Sequence, residues 1–306
     1  MACFNPLIAY RGKIPNAKSG KLPMVFSPKD SFDPDSEVKL PCGRCIGCRL
    51  EKSRQWAIRC VHEASLYDRN CFITLTFNPA NLPKSGSLDK RDFQLFMKRL
   101  RKRFGAGVRY FHCGEYGEKN GRPHYHACLF NFDFPDKELW SVRGETKLYI
   151  SKVLSELWPF GFSTVGDVTF ESAAYVARYV TKKITGPKAA NHYERVDDKG
   201  EVFSLLPEYC TMSRRPGIGR AWIEKFMSDV YPHDRVVLRG KEISPPKFYD
   251  SIFELDFPEE FEDIKFHRNR DMKAQAKHGE YDRLRVRERL QVINMDKLKR
   301  GYEDDS

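Results

Sequence analysis

The stretch Val108-Arg109-Tyr110-Phe111-His112-Cys113-Gly114-Glu115-Tyr116-Gly117-Glu118-Lys119-Asn120-Gly121-Arg122-Pro123-His124-Tyr125-His126-Ala127-Cys128-Leu129-Phe130 reads as a β-hairpin. Two apolar and aromatic runs, from about Val108 to Cys113 and from about Pro123 to Phe130, flank a connection of turn-forming residues, Gly114 to Gly121. Upstream, Cys71-Phe72-Ile73-Thr74-Leu75-Thr76-Phe77 is β-branched and aromatic and stops at Asn78-Pro79, as a strand does. From Ser87 the period changes to that of a helix, with Phe93, Phe96, Met97, Leu100 and Phe104 on one face and Gly105 and Gly107 closing it. Downstream the pattern predicts a helix near Lys147 to Trp158, a strand at Phe162 to Phe170, and a helix from Glu171 to Ile184 ended by Gly186-Pro187. Strand, helix, hairpin, helix, strand, helix is the order of an α+β domain whose antiparallel sheet is backed by helices.

The flanks divide the chain into four parts. Residues 1–68 hold an irregular arm rich in Pro, Lys and Ser, a cysteine cluster and a helix from about Leu50 to Tyr67. Residues 69–186 form the core, and residues 187–260 an insertion with the basic loop Met212-Ser213-Arg214-Arg215-Pro216-Gly217-Ile218-Gly219-Arg220. Residues 261–306 form a charged tail with a helix from about Asp271 to Leu298.

A length of 306 residues with 41% hydrophobic content supports a folded core rather than disorder throughout. The formal charge of +11 suits a polyanionic partner, because clustered Lys and Arg displace counterions from phosphates. No apolar run is long enough to span a bilayer, and no export signal opens the chain, so a soluble intracellular protein is expected. With that compartment the nine cysteines point to metal binding or core thiols rather than disulfides.

His124 and His126 are two apart, so on a strand both imidazoles face the same side while Tyr125 and Ala127 face the other. Two neutral imidazoles can bind a divalent ion, and a carboxylate would complete a facial set with positions left for phosphate oxygen and water. Glu115, across the hairpin, is the first candidate; Glu118, in the turn, is the second.

In Ala174-Tyr175-Val176-Ala177-Arg178-Tyr179-Val180-Thr181-Lys182-Lys183, Tyr175 and Tyr179 share a helix face with Lys182. Such spacing also suits two core aromatics. The histidine pair favours chemistry instead: a phenol is a poor nucleophile unless a cation lowers its pKa or activates the electrophile, and a divalent ion with a nearby ammonium does both.

Cys42, Cys45 and Cys48 have the close spacing of a thiolate site for zinc. Cys3 is the first candidate for the fourth ligand, with Cys60 and His62 as alternatives. Lys52 stands where an iron–sulfur run would need its next cysteine. Cys60, Cys71, Cys113, Cys128 and Cys210 sit in apolar patterns and are expected in the core. Arg214, Arg215, Arg220 and Lys183 are candidates for holding a phosphate backbone, with Gly217 and Gly219 permitting close approach; Lys98 to Arg103 could do the same or form a solvated face.

Three segments in this order resemble the rolling-circle replication initiators of the HUH endonuclease superfamily: Phe72–Phe77, His124-Tyr125-His126 preceded by Gly114-Glu115, and Tyr175-Val176-Ala177-Arg178-Tyr179 with its lysines. Cys42–Arg49 and Met212–Gly219 are similar to segments of the initiators of small single-stranded DNA phages, the gokushovirus branch of the microviruses. The resemblance implies a five-stranded antiparallel palm, with Mg²⁺ or Mn²⁺ on His124, His126 and Glu115. It also implies tyrosine attack on single-stranded origin DNA, leaving a 5′-phosphotyrosyl link and a 3′-OH for the host polymerase. Tyr175 and Tyr179 would alternate in cutting and rejoining, in the host bacterial cytoplasm. The sequence holds no Gly-x₄-Gly-Lys-Ser/Thr loop, so unwinding would fall to a partner helicase. Rival readings are a plasmid relaxase or tyrosine transposase, a zinc-stabilised DNA-binding protein without catalysis, and a phosphodiesterase that uses water.

Overall fold

A computed structural model of the chain describes residues 3–17, 20–117, 121–144, 146–182, 188–196, 199–274 and 279–296. The chain divides into two compact units, Met1–Lys52 with Lys265–Leu298, and Ser53–Ile264. In the first, the arm is not irregular. Strands β1 (Leu7–Arg11), β2 (Met24–Val25) and β3 (Val38–Leu40) make a small sheet in the order β2-β1-β3. Helix α1 (Ile46–Ala64) starts inside the cysteine cluster, so Cys48 lies in its first turn.

In the second unit the chain continues through β4 (Asn70–Thr76), α2 (Lys90–Phe104), β5 (Arg109–Tyr116), β6 (Pro123–Phe130), β7 (Glu138–Arg143), β8 (Thr146–Ile150), α3 (Lys152–Leu157), β9 (Ser163–Gly166) and α4 (Phe170–Lys182). Then come α5 (Lys188–Tyr193), the ribbon β10 (Glu194–Val196) and β11 (Val202–Ser204), β12 (Tyr209–Met212), α6 (Arg220–Lys225) and α7 (Met227–Val230). The ribbon β13 (Val236–Leu238) and β14 (Lys241–Ile243) and helix α8 (Lys247–Asp256) follow. The tail is helical as expected, though as two helices, α9 (Pro258–Ala274) and α10 (Tyr281–Asp296), rather than one.

The architecture is α+β, with an antiparallel sheet of seven strands rather than about five, in the order β12-β5-β6-β4-β9-β8-β7. The added strands are β12 on one edge and the hairpin β7–β8 on the other. Lys147–Ile150, expected as the start of a helix, belongs to β8, and only Lys152–Leu157 is helical. The expected strand Phe162–Phe170 shortens to β9 because Phe170 already opens α4.

The pleat of β4, β5 and β6 sorts the core. Ile73, Leu75, Tyr125, Ala127 and Leu129 pack with Phe93, Phe96, Met97 and Leu100 of α2 and with Leu154 and Leu157 of α3. On the other face, Phe72, Phe111, Cys113, Cys128 and Phe130 pack with Ala57 and Cys60 of α1 and with Ala173, Tyr175, Val176 and Ala177 of α4. Each fully buried phenylalanine contributes about 2–3 kcal/mol by leaving water.

The end of β4 is clasped by the turn before β9. Trp158 Nε1 donates to the Thr76 carbonyl at 3.1 Å, and the Thr76 amide donates to the Phe162 carbonyl at 2.9 Å. Gly161 permits this approach, since a methyl there would lie 2.2 Å from the Thr76 oxygen. The clasp fixes Thr76, which lies beside His124 in the sheet.

Candidate active site

Strand β5 runs to Tyr116, past the expected Cys113, so Glu115 is a strand residue rather than part of the turn. Its register with β6 pairs Glu115 with His124 and Cys113 with His126. On the other side of β6, His126 pairs with Thr74 and His124 with Thr76. Polar side chains from three neighbouring strands therefore share the face that α4 covers.

Helix α4 brings a tyrosine to them. Its start is a reciprocal cap: the Thr169 amide donates to Ser172 Oγ at 2.8 Å, and the Ser172 amide donates to Thr169 Oγ1 at 3.2 Å. Ala173 and Ala177 are fully buried, and their small side chains let the helix approach the sheet. Tyr175, between them in the sequence, is 3% exposed and donates its hydroxyl to Glu115 Oε1 at 3.2 Å. The same oxygen lies 2.6 Å from His126 Nε2. The phenol ring meets the His126 imidazole edge-on at 5.0 Å, and Phe72 packs against both.

Both imidazoles are held through their other nitrogen. Thr74 Oγ1 is 3.0 Å from His126 Nδ1, and Thr76 Oγ1 is 3.0 Å from His124 Nδ1. When Nδ1–H donates to the threonine oxygen, the Nε2 lone pair is available to a metal. The two rings are nearly parallel, 14° apart, with centroids 6.4 Å from each other. His124 Nε2 sits against Gly117, where a methyl group would come within 2.9 Å of it.

The donor types suit a divalent ion: two imidazoles tied at Nδ1 and one buried carboxylate. His126 and Glu115 already stand nearly as close as adjacent ligands of an octahedral Mg²⁺, which are about 3 Å apart. His124 Nε2 stands outside that pair. Among the described residues, only the cysteines bring three or more such donors within 4.8 Å of one another, so closing the His–His–Glu set requires the His124 ring to turn toward Glu115.

Of the other expected site residues, Tyr179 and Lys182 continue α4, but their side chains lie outside the described residues, as do Glu118 and Lys183. Arg214, Arg215 and Arg220 are exposed. Their loop leaves the end of β12 that pairs with Phe111, and its Ser213 amide donates to the Tyr110 carbonyl. That point is five residues along β5 from Glu115, about 17 Å of strand. The structure does not bring these arginines to the histidines. The loop glycines also serve the interior. Gly219 donates its amide to buried Glu63 at 2.7 Å, a methyl at Gly219 would meet the Tyr249 hydroxyl at 2.8 Å, and Gly217 abuts Phe248. Arg109 bonds Glu63 and the Pro216 carbonyl, fastening the loop to β5. On α2, Arg99 and Arg101 donate to the Leu157 and Val108 carbonyls, so part of that basic face is structural.

The cysteine cluster closes with Cys3. The sulfurs of Cys3, Cys42, Cys45 and Cys48 all lie within 4.8 Å of one another, with Cys45 and Cys3 at 3.9 Å. A tetrahedral zinc thiolate site has sulfur–sulfur edges of about 3.8 Å. Amides of Phe4, Cys42 and Cys45 point at these sulfurs at 3.2–3.3 Å, as donors that stabilise thiolates. Cys60 and His62, the alternatives, are elsewhere: Cys60 in the core beneath the sheet, His62 stacked on Trp222 and bonded to the Tyr249 hydroxyl at 2.9 Å.

Burial keeps three imidazoles neutral. It pushes His62 and His124 down to about 4 and holds His112 well below its ordinary value; for His124 the neighbouring His126 and Arg122 add to the effect. Because these folded-state values lie below the unfolded 6.5, the unfolded chain takes up protons first, so stability falls as pH drops from 6.5 toward 4. For His62, which is 5% exposed, the loss amounts to about 3 kcal/mol. Urea denaturation at pH 7 and pH 4.5, with histidine ring signals followed by NMR, checks this; a His62 signal titrating near 6.5 would contradict it.

The family model for the replication-associated protein ORF2 family matches residues 70–184. The chain is 34% identical over 249 residues to replication-associated protein VP4 of Bdellovibrio phage phiMH2K, covering 78% of this chain and 75% of that protein. It is 32% identical over 282 residues to replication-associated protein ORF2 of Spiroplasma virus 4, covering 85% and 83%. With replication-associated protein ORF4 of Chlamydia phage 1 the identity is 32% over 231 residues, covering 70% and 53%. No solved structure matches the chain. Among the described residues no helix is long and apolar enough to cross a membrane.

Proposed function

The chain belongs to the family of microvirus replication-associated proteins, and from that premise we propose that it initiates rolling-circle replication as an HUH endonuclease, nicking single-stranded origin DNA with Tyr175. The observation that carries this reading is the meeting of Tyr175 and His126 on one carboxylate oxygen of Glu115.

In this reading residues 69–186 are the catalytic core, and His124, His126 and Glu115 hold Mg²⁺ or Mn²⁺. When bound, such an ion polarises the scissile phosphate and offsets charge developing on it. The Tyr175 oxygen bonds to phosphorus while its proton passes to Glu115 Oε1, the acceptor it already faces. The bond from phosphorus to the 3′ oxygen breaks, and that oxygen takes up a proton to become the primer terminus for host polymerase. The product is a 5′-phosphotyrosyl link. Tyr179 performs the second transesterification that closes the circle, and Lys182 stabilises the charge on the transferred phosphate. Arg214, Arg215, Arg220 and Lys183 hold DNA away from the reacting atoms, a host helicase unwinds the duplex, and the reaction takes place in the host cytoplasm.

Thr74 and Thr76 are positioning residues here. Replacing either by valine keeps the shape and removes the oxygen that orients an imidazole, so Mn²⁺ affinity is expected to fall about 10–100-fold. Electron paramagnetic resonance titration of free Mn²⁺ measures it; serine at either position should restore binding, and unchanged affinity in both valine variants would refute the role.

The reading as a whole is tested with labelled single-stranded origin DNA and Mn²⁺ on a denaturing gel. A protein–DNA adduct is expected. Cleavage without an adduct would assign the attack to water, and no cleavage of any origin strand would remove the nuclease reading.

A further inference from the structure

We propose that the cavity beside the His124 end of the hairpin seats the bases of single-stranded DNA next to the scissile phosphate. The inference rests on the nicking reading for its place in the reaction, but not for the binding itself.

The cavity encloses about 720 Å³ and is walled by the loop around Lys84, by Tyr116 and Gly117 at the end of β5, and by the β10–β11 ribbon. That size lies within the usual range of small-molecule sites. Its contact with the candidate active site is direct: Gly117 lines it, and His124 Nε2 lies on the other side of that glycine, 2.9 Å from where a methyl would stand. A strand whose phosphate reached the histidines would carry its neighbouring nucleotide along this wall.

The lining has the composition of a single-strand site, which pairs cations for the backbone with aromatic faces for bases. Lys84 and Arg195 are exposed. Arg195 on β10 is the cross-strand partner of half-buried Phe203 on β11, so a cation and an aromatic ring stand side by side. The Arg195 guanidinium is steadied by the His192 and Glu194 carbonyls at 2.9 and 2.8 Å. Tyr116 is fixed by donating to the Leu206 carbonyl at 2.7 Å and accepting from the Leu88 amide at 3.1 Å. The acid in the lining, Glu208, is engaged by the Tyr193 hydroxyl at 2.5 Å. The walls are therefore set before any strand arrives, which lowers the ordering cost of binding.

The test uses the full chain and a fluorescein-labelled oligothymidylate in EDTA, so that binding is read by anisotropy without cutting. Phe203→Ala is expected to weaken binding about tenfold or more, as loss of one base stack does. Lys84→Gln and Arg195→Gln should each lower the slope of log affinity against log salt by about 0.7. Lys241→Gln, a matched charge change on β14, should do little. Both cation positions are exposed, so their variants keep the proposal testable if Phe203→Ala misfolds. Wild-type affinity and salt slope in all the cavity variants would overturn it, and so would an equal loss in Lys241→Gln. If the wild type binds the oligonucleotide and the variants weaken, yet no covalent adduct forms on origin DNA with Mn²⁺, the nicking reading fails and the cavity assignment stands.

Discussion

Tyr175→Phe is expected to abolish the covalent adduct, lowering nicking at least about a thousandfold, because it removes the attacking oxygen and nothing else. The ring keeps its edge contacts with His126 and Phe72. Glu115 keeps its bond to His126 and loses only the one from the phenol, a cost of about 1 kcal/mol in stability. The variant should therefore fold, bind Mn²⁺ and bind DNA, with melting temperature and oligonucleotide anisotropy as controls. Tyr179→Phe is expected to form the first adduct and fail at strand closure. An adduct that survives Tyr175→Phe and vanishes in Tyr179→Phe would reverse the assignment.

The second large effect is expected on stability. Purified protein should carry one zinc per chain, read by elemental mass spectrometry, and its removal by a strong chelator should unfold Met1–Lys52 with Lys265–Leu298. The buried core at the cluster is small: Cys3, Phe4, Cys45 and Leu284, with Cys42, Ile46 and Cys48 packed around them. A core of that size does not hold a fold without a staple, whereas structural zinc in small domains contributes about 10 kcal/mol or more. The sulfurs are prepared for it. Burial works against the Cys45 thiolate, but amides of Phe4 and Cys48 outweigh it and bring that thiol down to about 7. Cys45→Ser should reproduce the chelator effect, seen as rapid proteolysis within residues 3–52 while Ser53–Ile264 stays resistant. Full resistance without zinc would refute the structural role.

How much of this is legible in sequence depends on the kind of contact involved. The histidine face, the strand at Cys71–Phe77 and the Tyr175 helix follow from periods of two and 3.6, which the structure keeps. Glu115 reads as a turn residue because Gly114 and Gly117 flank it. Gly114 instead sits mid-strand, where the Tyr209 ring occupies the space a side chain would need, 2.8 Å from the missing carbon. No local pattern announces such a tertiary demand. The hairpin β7–β8 escapes a sequence reading for a related reason. Leu139, Trp140 and Val142 are exposed on an edge strand, while Leu148, Leu154 and Leu157 are buried at spacings that mimic a helix. Cys3 can be proposed from sequence only by elimination, because its approach to Cys42 follows the pairing of Leu7 with Leu40 between β1 and β3. The roles of Thr74 and Thr76 are written only in the register of β4 against β6.

That register makes β4 less tolerant of insertion than its composition suggests. Alternation along a strand means that a one-residue slip keeps the backbone ladder available yet exchanges the two faces. In β4 the slip would turn Leu75 toward the histidines and bury Thr74 and Thr76 among the side chains of α2 and α3. A single inserted codon between Asn70 and Thr76 would thus silence the imidazoles without touching them, and length variation among relatives should fall in the connections around this strand rather than within it.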